Sequence, residues 1–261
     1  MRATEDLVRA VGDIAAEAGA LARERWQGEF RRWEKVPGHP VCEVDLEVDA
    51  LLKKRLSALD PEAGWLSEET ADSAERLLQS RAWVVDPIDG TRDFLRNRSG
   101  WAVSIALVEG GKVRLGVLDA PARGQQWCAE AGGGAWLNGE RLRVADRQDL
   151  PGARVPADTL PRTDADLIGV PRPNSIALRI AMLAAGEVDL VATLRWGREW
   201  DIAAAYLIAQ EAGAIVTDAL GRPIRFNSTS AEAFGVLASV PGIHQDAVQR
   251  LWTRAMKASA R

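Results

Sequence analysis

The chain has 261 residues, and 47% of them are hydrophobic, enough for one large domain or two small ones. Lysine and arginine number 33 against 37 aspartates and glutamates, a formal charge of −4 with no basic run, which argues against a nucleic-acid polymer or an anionic membrane as the main partner. The acidic start Met1-Arg2-Ala3-Thr4-Glu5-Asp6 is not a signal segment, no apolar run approaches the ~20 residues that cross a bilayer, and Cys42 and Cys128 stand far apart, so a cytoplasmic protein with two free thiols is expected.

Thr4 is placed to cap a helix with Glu5 and Asp6 in its first turn. Leu7, Val11, Ile14, Ala18 and Leu21 then recur at helical spacing as far as Trp26. Residues 30–33 have strand composition, and Lys35-Val36-Pro37-Gly38-His39-Pro40 reads as a mobile loop. A second helix follows, with Val48, Leu51, Leu52, Leu56 and Leu59 as its buried face. Asp45, near its start, is either a first-turn acid favoured by the helix dipole or a site residue. After the turn Asp60-Pro61-Glu62-Ala63-Gly64, residues 65–69 read as a short strand ending in Glu68 and Glu69. Neighbours on a strand face opposite ways, so only one of these two acids readily faces a site. Residues 71–80 read as a polar helical connection.

The stretch from Trp83 to Phe94 organises the rest of the chain. Trp83-Val84-Val85 is strand-like, and the strand should stop at Asp86-Pro87 because proline fixes φ and cannot donate to a ladder. Gly90 permits a positive φ and a sharp turn. Asp86 and Asp89 then share one rigid turn, with the Thr91 hydroxyl just beyond. Two acids held this close repel unless a cation lies between them. The alternative is an ordinary acidic turn.

Leu95-Arg96-Asn97-Arg98-Ser99-Gly100 is a polar loop whose arginines either face an anionic substrate or are merely solvated. Residues 101–108 and 112–118 form a hairpin across Gly110-Gly111, and residues 126–131 are a further strand. The glycine-rich turn at 132–139 lacks the lysine of a phosphate-binding loop and reads as structural. Residues 146–166, rich in Pro, Asp and Arg, are the candidate boundary between two sub-domains, 1–145 and 146–261. A strand at 167–170, a helix at 175–185 ended by Gly186, a strand at 188–194 and a helix at 202–212 follow. Asp201 precedes that last helix and could be its N-cap. A strand, a turn and a strand over 214–239 and a final helix at 243–258 complete the chain. The alternation points to a mixed α/β (α+β) layered fold.

Three acidic motifs carry a resemblance. Ser67-Glu68-Glu69, Asp86-Pro87-Ile88-Asp89-Gly90-Thr91 and Trp200-Asp201-Ile202-Ala203-Ala204 are similar in kind and order to those of the inositol monophosphatase superfamily. Pro40-Val41-Cys42-Glu43-Val44-Asp45 resembles a fourth motif, with Cys42 where the family usually has Thr or Ser. The resemblance implies a layered α-β-α-β-α phosphatase fold and two or three Mg²⁺ ions, with Mn²⁺ as substitute. It implies Glu68, Asp86, the Ile88 carbonyl, Asp89 and Asp201 as metal ligands. Thr91 would position the attacking water, with Asp45 accepting from its hydroxyl, and the amides of Gly90 and Thr91 would bind phosphate. A homodimer and lithium sensitivity are common in the family.

The chemistry agrees with the resemblance, since an all-oxygen, carboxylate-rich set suits a hard cation and no nucleophilic Cys or His is placed for attack. The substrate is then a small phosphate ester. Seven residues before Asp201, where the inositol enzymes have a glutamate for sugar hydroxyls, stands Leu194. Glu199-Trp200-Asp201 instead resembles the bacterial 3′(2′),5′-bisphosphate nucleotidases, as does the charged pair Arg92-Asp93. A second phosphate would want a cation, for which Arg96, Arg98, Arg195 and Arg198 are candidates, and Arg92 is a further substrate-binding candidate. Ser175 is the candidate sugar contact if the substrate is an inositol phosphate. A non-catalytic Mg²⁺-binding regulator is the reading from another class.

Overall fold

The computed structural model describes residues 2–36 and 39–260. Helix α1 (Arg2–Arg25) begins before Thr4, so Thr4 lies inside it and is not its cap. Strands β1 (Arg32–Val36) and β2 (His39–Cys42) pair antiparallel, so most of the expected loop is a hairpin; Pro37 and Gly38 lie outside the described residues. Helix α2 (Glu43–Leu59) and strand β3 (Gly64–Ser67) follow. The connection at 71–80 contains only a short 3₁₀ helix, Ala74–Leu78.

Next come β4 (Arg81–Asp89), the short α3 (Thr91–Leu95), β5 (Ala102–Glu109), β6 (Lys112–Ala120), β7 (Gln125–Glu130), β8 (Gly134–Leu137) and β9 (Glu140–Arg141). Strands β3 to β9 form one seven-stranded sheet in chain order. Gly110 and Gly111 both have positive φ, 57° and 79°, which gives the two-residue hairpin between β5 and β6. The glycine turn at 132–139 holds a strand, β8, between its glycines.

Strands β10 (Arg154–Pro156) and β11 (Ile168–Val170) pair parallel, so the 146–166 stretch is not wholly irregular. Helix α4 (Ile176–Ala184), strand β12 (Leu190–Arg198), helix α5 (Ala203–Glu211), strands β13 (Ile215–Thr217) and β14 (Glu232–Ser239) and helix α6 (His244–Ser259) complete the chain. Strands β12, β14 and β13 form a second, antiparallel sheet in that order.

The layers follow from strand alternation. Trp83, Val85, Val103, Ile105 and Val117 face α1 and α2, packing with Val11, Ala18, Val48 and Leu52. Val84, Ala106 and Leu118 point the other way, into a core built with α4, α5 and the second sheet. Helix α6 covers the far side of that sheet. The order is helices, sheet, helices, sheet, helix, as the layered fold requires. At Gly116 a Cβ would stand 2.6 Å from the Ala204 carbonyl oxygen, so only glycine lets α5 sit this close to β6.

Two bulges shape the functional end. Strand β4 does not stop at Asp86-Pro87. Asp86 pairs with Ser104 and Asp89 with Ala102, so the three-residue step on β4 opposes a two-residue step on β5. Pro87 falls within the bulge, where no ladder donor is needed. Because Ser104 and Ala102 are two apart and share a face, Asp86 and Asp89 share one as well. On β12, Leu194 and Arg195 together oppose Gly235, whose φ is 63°. A Cβ there would lie 2.2 Å from the Thr193 carbonyl.

Helix α1 meets β6 and β7 through glycines. Gly12 lies against the Gln126 side chain and Gly19 against the Asp119 carboxylate. Gln126 donates to both Asp119 Oδ1 (3.2 Å) and the Gly12 carbonyl (3.0 Å). Burial pushes the Asp119 carboxyl up to about 6, opposed only by the Gln126 hydrogen bond. The native state therefore holds this proton more tightly than the unfolded chain does. The stabilisation is complete below about pH 4 and is lost as pH rises to about 6, at most about 3 kcal/mol and less where water reaches the group. Asp119→Asn keeps the acceptor and removes the charge. Its melting temperature should exceed the wild type at pH 7 and match it at pH 4; equal behaviour at both values would contradict the burial argument.

Candidate active site

The bulge at Pro87 opens onto a cleft of about 570 Å³ at the end of β4. Glu68, Asp86, Asp89 and Asp201 line it, with Ile88, Gly90, Thr91, Arg92, Arg198 and Lys35. The structure thus brings together acids separated by as many as 133 residues in sequence, from Glu68 to Asp201.

Each acid is held by its own local device. Glu68 follows β3, where its amide still donates to the Val85 carbonyl (3.3 Å). Its neighbour Glu69 turns away, as strand alternation requires, and its side chain is 3% exposed. Lys35, from the hairpin, lies 3.6 Å from Glu68 Oε1 and 2.5 Å from Glu69 Oε1. Asp86 accepts from the Ile88 amide at 3.0 Å. Asp89 Oδ2 accepts from the Ser175 hydroxyl (2.5 Å) and from the Ala177 amide (2.8 Å) at the start of α4. Asp201 is not a helix cap. Ile202 takes that position, and Asp201 Oδ2 accepts from the Arg198 amide at 3.3 Å.

Thr91 opens α3, after Gly90 in the left-handed region at φ 96°. A Cβ on Gly90 would stand 2.5 Å from the Gly100 carbonyl and 2.9 Å from the Ser175 amide. The Thr91 hydroxyl reaches the Ile88 carbonyl at 3.1 Å and Asp45 Oδ1 at 3.4 Å, and its single proton can serve only one of them at a time. Asp45 is buried at the third position of α2, where its other oxygen accepts from the Cys42 amide (2.8 Å). It therefore fills both roles considered for it, helix start and cleft edge. Burial and Asp45 push the Cys42 thiol strongly up, so it stays protonated at the helix entry.

The acids strain against one another. Burial, then Glu68, Asp89, Asp201 and Asp45, raise the Asp86 carboxyl well above its ordinary range. Burial, Asp89 and Glu68 do the same to Asp201, and burial raises Glu68, with Lys35 opposing. Among the described residues no three His, Cys, Asp or Glu side chains are drawn close enough to hold an ion as they stand, so the acids surround the cleft without closing on one point. The donor set is all oxygen, and the charges repel one another. That chemistry fits a hard divalent cation held by Glu68, Asp86, Asp89, Asp201 and the Ile88 carbonyl.

Several expectations fall elsewhere. Ser175 is fully buried; it caps α4 by accepting from the Leu178 amide and donates to Asp89, so it stands behind the cleft and does not face a substrate. Arg198 does line the cleft, where it lies 3.3 Å from Glu232 and over the Trp200 ring. Arg96 and Arg98 do not line the cleft; Arg98 borders a separate hollow beside Arg123. Glu199 is buried and accepts from the amides of Asn227 and Ser228 and the Ser228 hydroxyl, holding that loop and not a ligand. Leu194 is half-buried and packs against the core. Sequence reasoning missed Lys35 and Glu232 as cleft residues. The strand pairing of Arg198 with Glu232 could not be foreseen, but a lysine upstream of the Cys42–Asp45 motif was a usable signal.

The chain matches the inositol monophosphatase family over residues 4–255. It is 34% identical over 220 residues to the fructose-1,6-bisphosphatase/inositol-1-monophosphatase of Thermotoga maritima, a match covering 80% of this chain and 83% of that protein. It is 30% identical over 258 residues to the 3′(2′),5′-bisphosphate nucleotidase CysQ of Aggregatibacter actinomycetemcomitans, covering 93% and 95%. The solved Thermotoga maritima IMPase superposes with a TM-score of 0.83 at 28% identity, covering 97% of this chain and 100% of that one.

Ser175 orients Asp89 without entering the cleft. Ser175→Ala should weaken divalent-cation binding about tenfold or more, measured by calorimetric titration of Mg²⁺, with the far-ultraviolet dichroism unchanged. Unaltered affinity would mean that the Ala177 amide alone fixes Asp89.

Proposed function

This chain belongs to the inositol monophosphatase family, and from that premise we propose that it is a Mg²⁺-dependent phosphomonoesterase whose preferred substrate is a nucleoside 3′,5′-bisphosphate such as 3′-phosphoadenosine 5′-phosphate. The phosphatase class rests on the family and on relatives that are phosphatases, and the family is generally Mg²⁺-dependent. The observation that carries the mechanism is the gathering of four carboxylates and Thr91 at one strand end.

In this reading Glu68, Asp86, Asp89, Asp201 and the Ile88 carbonyl hold two or three Mg²⁺ ions, with Mn²⁺ able to replace them. Bound there, such ions neutralise the phosphate dianion, lower the pKa of a water and stabilise the departing alkoxide. The protein's own groups do the positioning. When Thr91 gives its proton to Asp45 or to the Ile88 carbonyl, its oxygen keeps a lone pair to accept from the attacking water. The first-turn amides at Gly90 and Thr91 have no helical partner and can donate to phosphate oxygens. Water attacks phosphorus, the bond to the ester oxygen breaks, and that oxygen takes up a proton. In this reading water is the nucleophile and no phosphorylated side chain forms on the path.

Two features support the nucleotide over an inositol phosphate. Leu194, half-buried against the core, is apolar and offers sugar hydroxyls no hydrogen bond. Arg195, next to it in the bulge, is exposed and has no hydrogen bond or ion pair among the described residues. Arg92 and Arg195 both line the cleft, which supports a substrate with a second anionic group. Against this, Glu232 enters the cleft from β14 and could accept from vicinal hydroxyls, which keeps the inositol-type phosphatase as the second reading. Cytoplasmic location, lithium inhibition and a homodimer belong to the same family-based proposal.

Phosphate release from 3′-phosphoadenosine 5′-phosphate and from inositol 1-phosphate, with and without Mg²⁺, separates the readings. The nucleotide should show kcat/KM about tenfold higher or more, only with the metal, and Asp201→Asn should lower kcat by about a hundredfold or more. A preference for inositol 1-phosphate, with KM raised by Glu232→Gln, would transfer the assignment to the second reading. Recovery of a phosphorylated protein would overturn attack by water.

A further inference from the structure

A loop that does not itself line the acidic cleft is gripped from two sides by buried charge. Residues 227–231 lead into β14 and its first residue, Glu232. Glu199, fully buried just after β12, holds the loop from one side. Its carboxylate accepts from the amides of Asn227 (2.5 Å) and Ser228 (3.0 Å) and from the Ser228 hydroxyl. Its own amide donates to the Ala231 carbonyl at 3.0 Å. Arg76, also buried, holds the loop from the other side. Its guanidinium donates to the Asn227 side chain (2.5 Å) and the Ser228 carbonyl (2.8 Å), and makes a two-pronged pair with Asp72 at 2.6 and 2.9 Å.

Each part of this network continues into an acid of the cleft. The Glu199 carbonyl accepts from the Ile202 (3.2 Å) and Ala203 (2.9 Å) amides and so closes the turn that holds Asp201. Arg76 sits on β3, the strand that delivers Glu68: a Cβ on Gly64 would stand 2.8 Å from the Arg76 Cα. Ala231, at the end of the loop, lies in the left-handed region at φ 51°. An alanine resists that conformation and keeps it only where its surroundings impose it. Here the Ser228 carbonyl takes its amide (3.2 Å) and the Glu199 amide takes its carbonyl, and Glu232 follows directly into the cleft. Glu68, Asp201 and Glu232 are thereby tied together across the 151 residues that separate Arg76 from Asn227. A buried carboxylate and guanidinium are costly to desolvate, and apolar residues in their place are often no less stable, so stability alone does not account for them.

We propose that Arg76 and Glu199 are positioning residues which, through the loop at 227–231, hold Asp201 in place against the repulsion of the other cleft acids and so preorganise the cleft for a divalent cation. The proposal rests on the cation site of the phosphomonoesterase reading, though it needs no turnover. Asp89 and Glu68 both repel Asp201, and the turn that carries it would draw back if nothing opposed them. The network supplies the opposing hold before any ion arrives, so the ion does not have to gather its own ligands.

The test titrates Mg²⁺ calorimetrically into the whole protein and follows its activation of phosphate release. Asn227→Gly suits the φ of 56° at that position and removes only the side chain that Arg76 holds. Ser228→Ala removes only the hydroxyl given to Glu199. Both should bind Mg²⁺ severalfold more weakly, and Glu199→Gln about tenfold or more, with the far-ultraviolet dichroism unchanged. Val113→Ala, a core truncation outside the network, should lower the melting temperature and leave the Mg²⁺ affinity at the wild-type value. In turnover, the Mg²⁺ concentration for half-maximal activity should rise by the same factor as the affinity falls, with kcat at saturating Mg²⁺ less affected. Wild-type affinity in Asn227→Gly and Ser228→Ala, or an equal loss in Val113→Ala, would overturn the positioning role, and the two mild variants decide it even where Glu199→Gln does not fold. If network-dependent Mg²⁺ binding holds and no phosphate ester is hydrolysed, the catalytic reading falls and the positioning role stands. If esters are hydrolysed with the same Mg²⁺ dependence in every variant, the positioning role alone falls. A wild type that binds no Mg²⁺ overturns both.

Discussion

Carboxylate crowding is the constraint from which the rest of this molecule follows. Glu68, Asp86, Asp89 and Asp201 are gathered where burial already disfavours their charge, and each makes the next harder to ionise. Such a cluster is costly unless backbone amides, a lysine and finally a cation share the charge. The amides are in place for Asp86, Asp89 and Asp201. Lys35 answers Glu68 and Glu69 from a hairpin separate from both sheets.

The two bulges solve the geometric half of the problem. A regular strand would send residues 86 and 89 to opposite faces. The extra residue at Pro87 returns them to one face, and a proline there forfeits no ladder hydrogen bond. On the second sheet the bulge at Leu194 and Arg195 leaves the leucine half-buried against the core and the arginine at the surface, with Gly235 opposite because no side chain fits. Between the sheets, α4 and α5 deliver Ser175, Ala177 and the Asp201 turn. The close seat of α5 at Gly116 keeps that turn near the end of β4.

The sequence made the periodic elements legible. The hairpin at Gly110-Gly111, the apolar stripes of α1, α2 and α6, and the acidic motif at Asp86 all depend on neighbours along the chain. What escaped depends on partners far away. Pro87 reads as a strand end because its bulge exists only in relation to β5. Residues 35–40 read as loop because their composition is turn-like, and only the pairing of Pro40 with Glu34 and of His39 with Val36 makes a hairpin. Ser175 looked like a polar group for a ligand, yet its partner Asp89 lies 86 residues away. Arg198 lines the cleft as a cation, but the carboxylate beside it arrives on β14, out of reach of any local reading. Glu199, read as a nucleotidase signature, holds the loop at Asn227 and Ser228, so whatever it distinguishes is structural.

The span between Asp89 and its donors bears on how the protein is made. Ser175 and Ala177 lie 86 and 88 residues downstream of the acid they hold. Synthesis runs at about 5–20 residues per second, and domains tend to fold from the N-terminal side as the chain emerges. For several seconds a nascent chain can thus contain the whole of β3 to β9 while Asp89 has neither donor and the face of the sheet meant for α4 and α5 is bare. The end of β4 must stay wetted during that interval, and an apolar surface containing Val84, Ala106 and Leu118 is open to other chains. The acids that equip the finished cleft also place charge at the edge of that exposed surface, where it discourages association before the second half arrives.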